Sequence, residues 1–341
     1  MQQTLTDLSK YPLVQAPMAG VTTPEFVAAC SEAGALGSIG AGYLSAEDTR
    51  QFIQEVKQLT SKPFQVNLFV PEKTAASEDQ IRKAIQALKP IADQLGLHVD
   101  KPVFSSTEFK DQIDVIIEEK VQACSFTFGL PQQAIIDRLK QHEICLIGTA
   151  TTIKEAQQAE QAGMDAVVLQ GSEAGGHRGS FSGDLELVPL DLLLDEARKI
   201  IQIPIIAAGG IATKEQIDRL QKVGAAAVQI GTALLTANES GANPYYKEAL
   251  LQAEEQSTVL TKVFSGKLAR GIKNSFINQM ENSPIAPYPF QNDLTKPLRS
   301  AAAKQGKSGY LSLWAGENVH LCRRGSVKEI IEELADTHTA P

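Results

Sequence analysis

Residues 204–232 read PIIAAGGIATKEQIDRLQKVGAAAVQIGT, and this stretch decides the fold class. An apolar run, Pro204–Ala208, leads into a Gly-Gly turn and then into a helical stretch, Lys214–Val223. Gly224 ends that stretch, and a second apolar run, Ala227–Ile230, follows almost at once. Glycine directly after a helical stretch is a common helix stop. Strand, turn, helix, glycine and strand in this order predict one unit of a parallel α/β sheet.

The same pattern recurs along the whole chain. The helical stretches Pro24–Ala33 and Thr152–Ala162 also end at a glycine and are followed by an apolar run. The predicted strands are Tyr11–Pro17, Leu36–Ile39, Phe64–Phe69, Ala123–Phe126, Ile144–Gly148, Ala166–Leu169, Pro204–Ala208 and Ala227–Ile230. They are nearly continuous apolar runs, as parallel strands covered on both faces require. Eight such units favour a (β/α)8 TIM barrel over an open doubly wound sheet.

Two segments do not fit the minimal strand–helix unit. Ser77–Glu119 lies between the third and fourth predicted strands and has room for two helices. The segment after residue 256 is rich in Pro, Asn and Lys and has few apolar runs, so it is not expected to fold independently. We therefore predict a barrel over residues 1–256, with a helical insertion at about 77–119, and a C-terminal cap over the barrel mouth at 257–341.

The composition excludes several function classes. Of the 341 residues, 43% are hydrophobic and 21% charged, which is typical of a globular enzyme. The net charge of −8 and the lack of a basic patch argue against a nucleic-acid partner. Residues 1–10 lack an apolar signal core, and no stretch is long enough to cross a bilayer. The four cysteines are scattered, without CxxC or zinc spacing, so we expect reduced thiols, a cytoplasmic protein and no metal site.

Polar and glycine-rich turns follow the predicted strands, where the chemistry of this fold is found. The first strand ends in Pro17-Met18-Ala19, whose backbone could lie against a flat ring or simply form a tight turn. Asn67 and Gln170 each offer a hydrogen-bond donor and an acceptor near a strand end. A lone Asn is also common in turns, so Asn67 alone does not distinguish a binding role from a turn.

Paired glycine turns follow the seventh and eighth strands. Gly209-Gly210 and Gly231-Thr232 each lead into a helical stretch, and backbone N–H groups there favour a phosphate group. No GxGxxG opens an early βαβ unit and no GxxxxGK[ST] loop is present, so the pattern suits a mononucleotide rather than a dinucleotide. No nucleophile elbow GxSxG is present either.

A single histidine stands in the turn after the sixth strand. Residues 170–181 read QGSEAGGHRGSF, in which Gly175 and Gly176 precede His177. Small glycines let the backbone approach a ligand, and the imidazole could exchange a proton with it. The alternative is a histidine held by backbone contacts alone. Glu173 and Arg178 are expected to be solvated or structural.

Together these motifs resemble the nitronate monooxygenase family, and most closely its bacterial class I branch. The matching segments are 16–20 (APMAG), 22–24 (TTP), 67–69 (NLF), 173–179 (EAGGHRG), 208–211 (AGGI), 229–232 (QIGT), 297–299 (PLR) and 308–316 (SGYLSLWAG). The segments in the middle of the chain are shared with related flavin barrels, whereas 297–299 and 308–316 are more specific to class I.

The resemblance implies an FMN-dependent enzyme that oxidises alkyl nitronates with O2 to a carbonyl compound and nitrite. Propionate 3-nitronate would be the substrate and detoxification the role. The implied FMN contacts are Pro17, Met18, Ala19, Asn67, Gln170, Gly175, Gly176, Gly209, Gly210, Gln229, Ile230, Gly231 and Thr232. His177 would steady the nitronate anion or deprotonate a neutral nitroalkane, and Tyr310 and Arg270 would border the substrate. Thr127 stands where some relatives carry a second histidine, which weakens a two-histidine mechanism.

Three other interpretations remain open. An FMN-dependent enoyl-ACP reductase shares the glycine–histidine turn and resembles the chain around Lys273-Asn274, but would need reduced nicotinamide and a basic rim for its acidic carrier protein. A non-catalytic phosphate- or nucleotide-binding barrel would purify without flavin. A barrel like IMP dehydrogenase would need a catalytic cysteine in a glycine-rich loop, and none of the four cysteines lies in one.

Overall fold

A computed structural model describes residues 5–72, 74–99, 108–181 and 185–335 of the chain. Over these residues the strands are β1 Leu13–Gln15, β2 Gly37–Gly40, β3 Phe64–Phe69, β4 Ala123–Thr127, β5 Cys145–Ala150, β6 Ala166–Gln170, β7 Gly176–His177, β8 Ile205–Ala208, β9 Ala227–Ile230, β10 Thr258–Thr261 and β11 Ala269–Ile272. All strands of the large sheet, β1–β6, β8 and β9, are parallel. The remaining three form a small antiparallel sheet in the order β10-β11-β7.

The large sheet closes into a barrel. Its order is β1-β9-β8-β6-β5-β4-β3-β2, and a parallel bridge between Val14 and Leu36 joins the two ends. The N–H of Gln15 donates to the carbonyl of Leu36 at 2.9 Å, and the N–H of Leu36 donates to that of Leu13 at 2.9 Å. The prediction of a (β/α)8 TIM barrel is therefore confirmed.

The helices of the described chain alternate with the barrel strands and extend into the cap. They are α1 Pro24–Glu32, α2 Ala46–Leu59, α3 Glu78–Leu95, α4 Phe109–Glu118, α5 Gln133–Gln141, α6 Ile153–Ala162, α7 Leu190–Ala197, α8 Lys214–Val223, α9 Thr232–Leu235, α10 Pro244–Leu251, α11 Ser275–Met280, α12 Phe290–Lys304 and α13 Val327–Leu334. Short 3-10 helices lie at Leu5–Asp7, Ser308–Tyr310 and Val319–Leu321. No helix in these residues is long and apolar enough to cross a membrane.

Capping residues next to the helices fix the helix ends that the sequence predicted. The side chain of Thr213 accepts from the N–H of Gln216, and the Gln216 side chain bonds back, which begins α8. Helix α6 begins after Thr152 in a similar way and ends at Gly163, whose φ of 91° places it in the left-handed region. The first strand, Leu13–Gln15, is shorter than the predicted Tyr11–Pro17 at both ends, where Pro12 and Pro17 have no N–H with which to extend the ladder.

The barrel has an inner and an outer core. Val14, Leu36, Ile147, Val168 and Ile206 belong to an inner cluster of buried side chains, which the N-terminal Leu5 and Leu8 join. A much larger outer cluster unites the opposite strand faces with the surrounding helices. This alternation is what a barrel strand requires, because successive side chains point to opposite faces.

Ser77–Glu119 and the segment after residue 256 each contribute helices to both the barrel and the cap. Helix α4 packs in the outer barrel cluster through Phe109, Ile113 and Ile116, so it is the barrel helix between β3 and β4. Helix α3 instead shares a second cluster with α12. Residues 100–107 of the predicted insertion lie outside the described residues.

The C-terminal helix likewise returns to the barrel. Helix α13 buries Val327, Ile330, Ile331 and Leu334 in the outer barrel cluster and packs on α1. The segment from β10 to α12 is thus inserted between β9 and the last barrel helix. Residues 336–341 of the predicted cap lie outside the described residues, and the domain boundary at 256/257 stays a prediction.

Candidate active site

A cavity of about 370 Å³ opens where the carboxyl ends of the barrel strands meet the cap. Its volume falls in the range of roughly 300–1,000 Å³ that is usual for small-molecule sites. Most of the residues predicted from the sequence line it: Pro17, Met18, Ala19, Asn67, Gln170, Gly175, Gly176, His177, Gly209, Gly210, Gln229, Gly231 and Thr232. None of the described residues that line it is Asp, Glu or Lys. The wall therefore suits an anionic ligand.

The glycine turns after β8 and β9 supply free backbone donors. Gly209 and Gly210 have φ values of 127° and 65°, which favour glycine. In the described chain no acceptor is bonded to the N–H of Gly209, Gly210, Gly231 or Thr232. The side chain of Asn318 holds the first turn by donating to the carbonyl of Gly210. Unpaired amides beside a cavity are suited to a phosphate group.

The histidine turn is held by a sheet that sequence reasoning missed. Strand β7 pairs with β11, so that His177 lies opposite Ala269 and Gly176 opposite Arg270. Within the turn, Gln170 donates from Nε2 to the carbonyl of His177 at 3.0 Å and accepts from the N–H of Gly179 at 2.8 Å. These two bonds use half of the hydrogen-bonding capacity of the Gln170 amide to order the turn, and a contact of Gln170 with the ligand stays a prediction.

Arg178 is buried beneath this turn. Its guanidinium donates from Nη2 to the carbonyl of Gln170 at 3.0 Å and from Nη1 to that of Gly171. With 1% of its surface exposed, it is the largest fully buried side chain described. Burial lowers its pKa to about 10, which leaves it charged at neutral pH. Arg178 is thus structural, as expected, and fixes the carbonyls that end β6.

His177 is neutral at physiological pH. Its ring lies 5.3 Å from the ring of Trp314 and about 6 Å from those of Phe128 (6.1 Å) and Tyr288 (6.2 Å), measured between centroids. Burial, together with the charges of Arg299 and Lys267, lowers its pKa to about 3. A charged imidazole is disfavoured in so apolar a setting.

The tautomer of His177 depends on Ser265. Nε2 of His177 lies 2.8 Å from Oγ of Ser265. The same hydroxyl is 3.1 Å from the carbonyl of Lys267, to which it can donate. A neutral imidazole has one N–H, so a hydroxyl that donates to Nε2 leaves the proton on Nδ1. A hydroxyl that donates to Lys267 instead requires the proton on Nε2.

Asn67 of β3 and Thr127 at the end of β4 form a polar pair in the cavity wall. Nδ2 of Asn67 donates to Oγ of Ser125 at 3.0 Å and to Oγ1 of Thr127 at 3.1 Å. All three residues line the cavity. Thr127, at the position of the second histidine of some relatives, therefore orients Asn67 and provides no imidazole.

Three predicted residues do not line the cavity. Ile230 points outward into the barrel's outer cluster, because alternate strand residues face opposite sides. Arg270 is buried, donates to the carbonyl of Ser172 at 3.1 Å and pairs with Glu317 at 2.8 Å. Tyr310 hydrogen-bonds to the side chains of Gln94 and Gln279. Arg270 and Tyr310 thus tie the cap to the turn and to α3, and that they border the substrate stays a prediction.

Four further residues matter that no site prediction included: Phe128, Ser265, Arg299 and Trp314. Arg299 carried a usable signal. The buried face of α12 includes Gln291, Asn292, Thr295 and Leu298, and Arg299 is eight positions after Gln291, close to the same face. An arginine there is unusual enough to mark a site. Ser265 carried no such signal, since only the folded cap brings it to His177.

Comparison with known proteins decides the family. Residues 2–337 match the family described as "Nitronate monooxygenase". The chain belongs to the nitronate monooxygenase family. It is 45% identical over 340 residues to a "Probable nitronate monooxygenase" of Staphylococcus saprophyticus, covering 95% of this chain and 94% of that protein.

Solved structures agree with membership of the nitronate monooxygenase family. A nitroalkane oxidase from Streptomyces ansochromogenes superposes with a TM-score of 0.93 at 37% identity, covering 98% of this chain and 97% of that one. FabK from Thermotoga maritima superposes with a TM-score of 0.76 at 31% identity, covering 98% and 96%. The chain is thus an oxidoreductase, and the nitroalkane oxidase is the better structural match of these two.

Proposed function

We propose that this chain is an FMN-dependent nitronate monooxygenase that converts alkyl nitronates and O2 into a carbonyl compound and nitrite. Propionate 3-nitronate is the candidate substrate, detoxification the role and the cytoplasm the location. The observation that carries the proposal is the lining of the cavity: unpaired amides and a neutral histidine, without a carboxylate among the described lining residues. Such a wall favours two anions, a phosphate and a nitronate.

The residues present fit FMN. The free amides of Gly209, Gly210, Gly231 and Thr232 would hold the phosphate. A Cβ on Gly210 would lie 3.0 Å from Cβ of Glu173, so a larger residue would disturb the turn. The backbone of residues 17–19 would face the ring system, with Asn67 and Gln229 near its polar edges. When bound, FMN supplies the one-electron acceptor for the nitronate.

His177 would orient the nitronate. Because it is neutral, it stabilises an anion only through an N–H, and that N–H must be on Nδ1. Ser265 permits this state by donating its hydroxyl proton to Nε2. A pKa of about 3 makes His177 a weak base, so the structure favours anion binding over deprotonation of a neutral nitroalkane. Phe128 and Trp314 limit the access of water to it.

Oxygen uptake by the purified protein tests this proposal. Propionate 3-nitronate should drive O2 consumption and nitrite release without NADH or NADPH, and heat-released cofactor should co-migrate with FMN. His177→Gln should lower turnover while flavin content stays unchanged. NADH oxidation with crotonyl thioester, and no O2 uptake with nitronate, would refute the proposal in favour of the enoyl reductase. Colourless protein that does not take up FMN would favour the non-catalytic barrel.

A further inference from the structure

Arg299 is the only Arg or Lys among the described residues that line the cavity. It lies near the end of α12, and its charge acts on the pKa of both His177 and Tyr43. The arginine is half-buried, and it lines the cavity. A cation therefore stands beside the histidine that we propose orients the nitronate.

The protein does not neutralise this cation. Nη2 of Arg299 donates to the carbonyl of Asn292 at 3.1 Å and to its Oδ1 at 2.8 Å, and Nη1 makes a 3.4 Å contact with Oγ of Ser312. Nε is buried without a hydrogen-bond partner. Within the described residues no carboxylate lies at ion-pair distance, and Asp293 acts on Arg299 only at longer range.

A half-buried cation without a counter-ion at ion-pair distance is costly to the fold. Burial lowers the pKa of Arg299, yet a guanidinium stays protonated in proteins, so it cannot relieve the cost by losing its proton. Two other buried arginines differ from Arg299 in charge pairing or in place. Arg270 pairs with Glu317. Arg178, like Arg299, bonds neutral oxygens and has an unpaired Nε, but it does not line the cavity. The neutral partners of Arg299 orient the guanidinium but leave its charge available.

The position of Arg299 separates it from the phosphate turns. The turns after β8 and β9 are contacted by Asn318 and Gly316 of the cap. Arg299 instead bonds Asn292 and Ser312 and interacts electrostatically with Tyr43, which follows β2. The cavity therefore offers a second candidate anion site, which shares the cavity with His177 and is held by residues other than those that contact the glycine turns.

We propose that Arg299 binds a carboxylate on the substrate, so that the site prefers nitronates carrying a carboxylate a few bonds from the reacting carbon. This inference rests on the proposed function. Arginine suits the role because its planar fork matches a carboxylate, and charge-assisted hydrogen bonds are stronger than neutral ones. An alkyl nitronate of the same shape leaves the guanidinium without a partner and should bind less well.

The test compares two isosteric substrates in matched variants. Propionate 3-nitronate carries the carboxylate, and 3-methylbutyl nitronate replaces it with an isopropyl group. Arg299→Met should lower kcat/KM for the carboxylated substrate about 10- to 100-fold, the value of a charged hydrogen-bonded pair, and change it less than about threefold for the alkyl substrate. Arg299→Lys should be intermediate, since it keeps the charge but loses the fork. Lys296→Gln, exposed on the same helix, is the control for charge removal.

The outcomes separate this inference from the proposed function. Equal losses on both substrates with normal flavin content, or no loss on either, overturn the carboxylate site, and so does a loss of flavin in Arg299→Met. If the unaltered enzyme oxidises neither nitronate, the proposed function fails. In that case the affinity of the flavin-loaded protein for 3-nitropropionate, measured by titration calorimetry, tests whether Arg299 binds a carboxylate. At least tenfold weaker binding by Arg299→Met supports it, and equal binding overturns it.

Discussion

Replacing His177 with Gln should change how the stability of the protein depends on pH. Burial, then Arg299 and Lys267, lower the pKa of His177 from 6.5 to about 3 in the folded state. Below pH 6.5 the unfolded chain therefore takes up a proton that the folded chain does not bind. His177 therefore lowers the free energy of unfolding as the pH falls from 6.5 towards 3.

The size of this effect follows from the two pKa values. Between pH 7 and pH 5 the difference in proton binding at this one group costs about 2 kcal/mol of unfolding free energy. Gln is the appropriate replacement because its amide can reach the place of Nε2, keep a hydrogen bond to Ser265 and not titrate. All other groups titrate alike in both proteins, so they cancel in the comparison.

Equilibrium unfolding in urea at pH 5, 6 and 7, with the same excess of FMN, measures the effect. The stability of the unaltered protein relative to His177→Gln should fall by about 2 kcal/mol from pH 7 to pH 5. A relative stability that stays constant over this range would show that His177 titrates normally. In that case the conclusion that a neutral imidazole faces the substrate would be lost, and with it the anion-orienting role through Nδ1.

Two further variants test the turns that build the site. Gly210→Ala should lower FMN occupancy, measured as flavin absorbance per protein, because the added Cβ meets Glu173 and a φ of 65° is unfavourable for alanine. The control is Gly96→Ala, which has a φ of 70° and open space around the added Cβ. It should cost similar stability and leave FMN occupancy unchanged. Arg178→Met should lower the unfolding free energy by about 2 kcal/mol and weaken FMN binding, because the carbonyls of Gln170 and Gly171 lose their donor. Arg198→Met, at an exposed arginine, is the control and should do neither.

The barrel was predictable because its signals are local. A threonine cap, a helical stretch and a glycine stop lie within about a dozen residues of one another, as in Thr213–Gly224, and each acts through neighbouring backbone groups. The glycine turns at 209–210 and 231 were found for the same reason.

The rest of the site could not be predicted because it depends on distant pairings. Strand β7 is only two residues long and exists through its ladder with β11, whose residues are about 90 positions further along the chain. Arg270 and Tyr310 were predicted at the cavity from a motif alone, and the ladder and α3 direct them elsewhere. Arg299 reaches the cavity, and Ser265 reaches His177, only after the cap has folded over the mouth.

Different parts of the chain supply the proposed phosphate site and the proposed substrate position. The residues proposed to hold the phosphate come from turns that the barrel fixes, whereas Trp314, Arg299 and Ser265, which surround the proposed substrate position, come from the segment inserted between β9 and α13. That segment is anchored at both ends in the barrel, since α13 packs back on α1. Changes at Arg299 and Trp314, which make no hydrogen bond to the glycine turns, should therefore alter which nitronate is used without altering FMN binding. Asn318 of the same segment is an exception, because it donates to the carbonyl of Gly210. Changes in the glycine turns should do the reverse, and a family of barrels could vary its substrates through the cap alone.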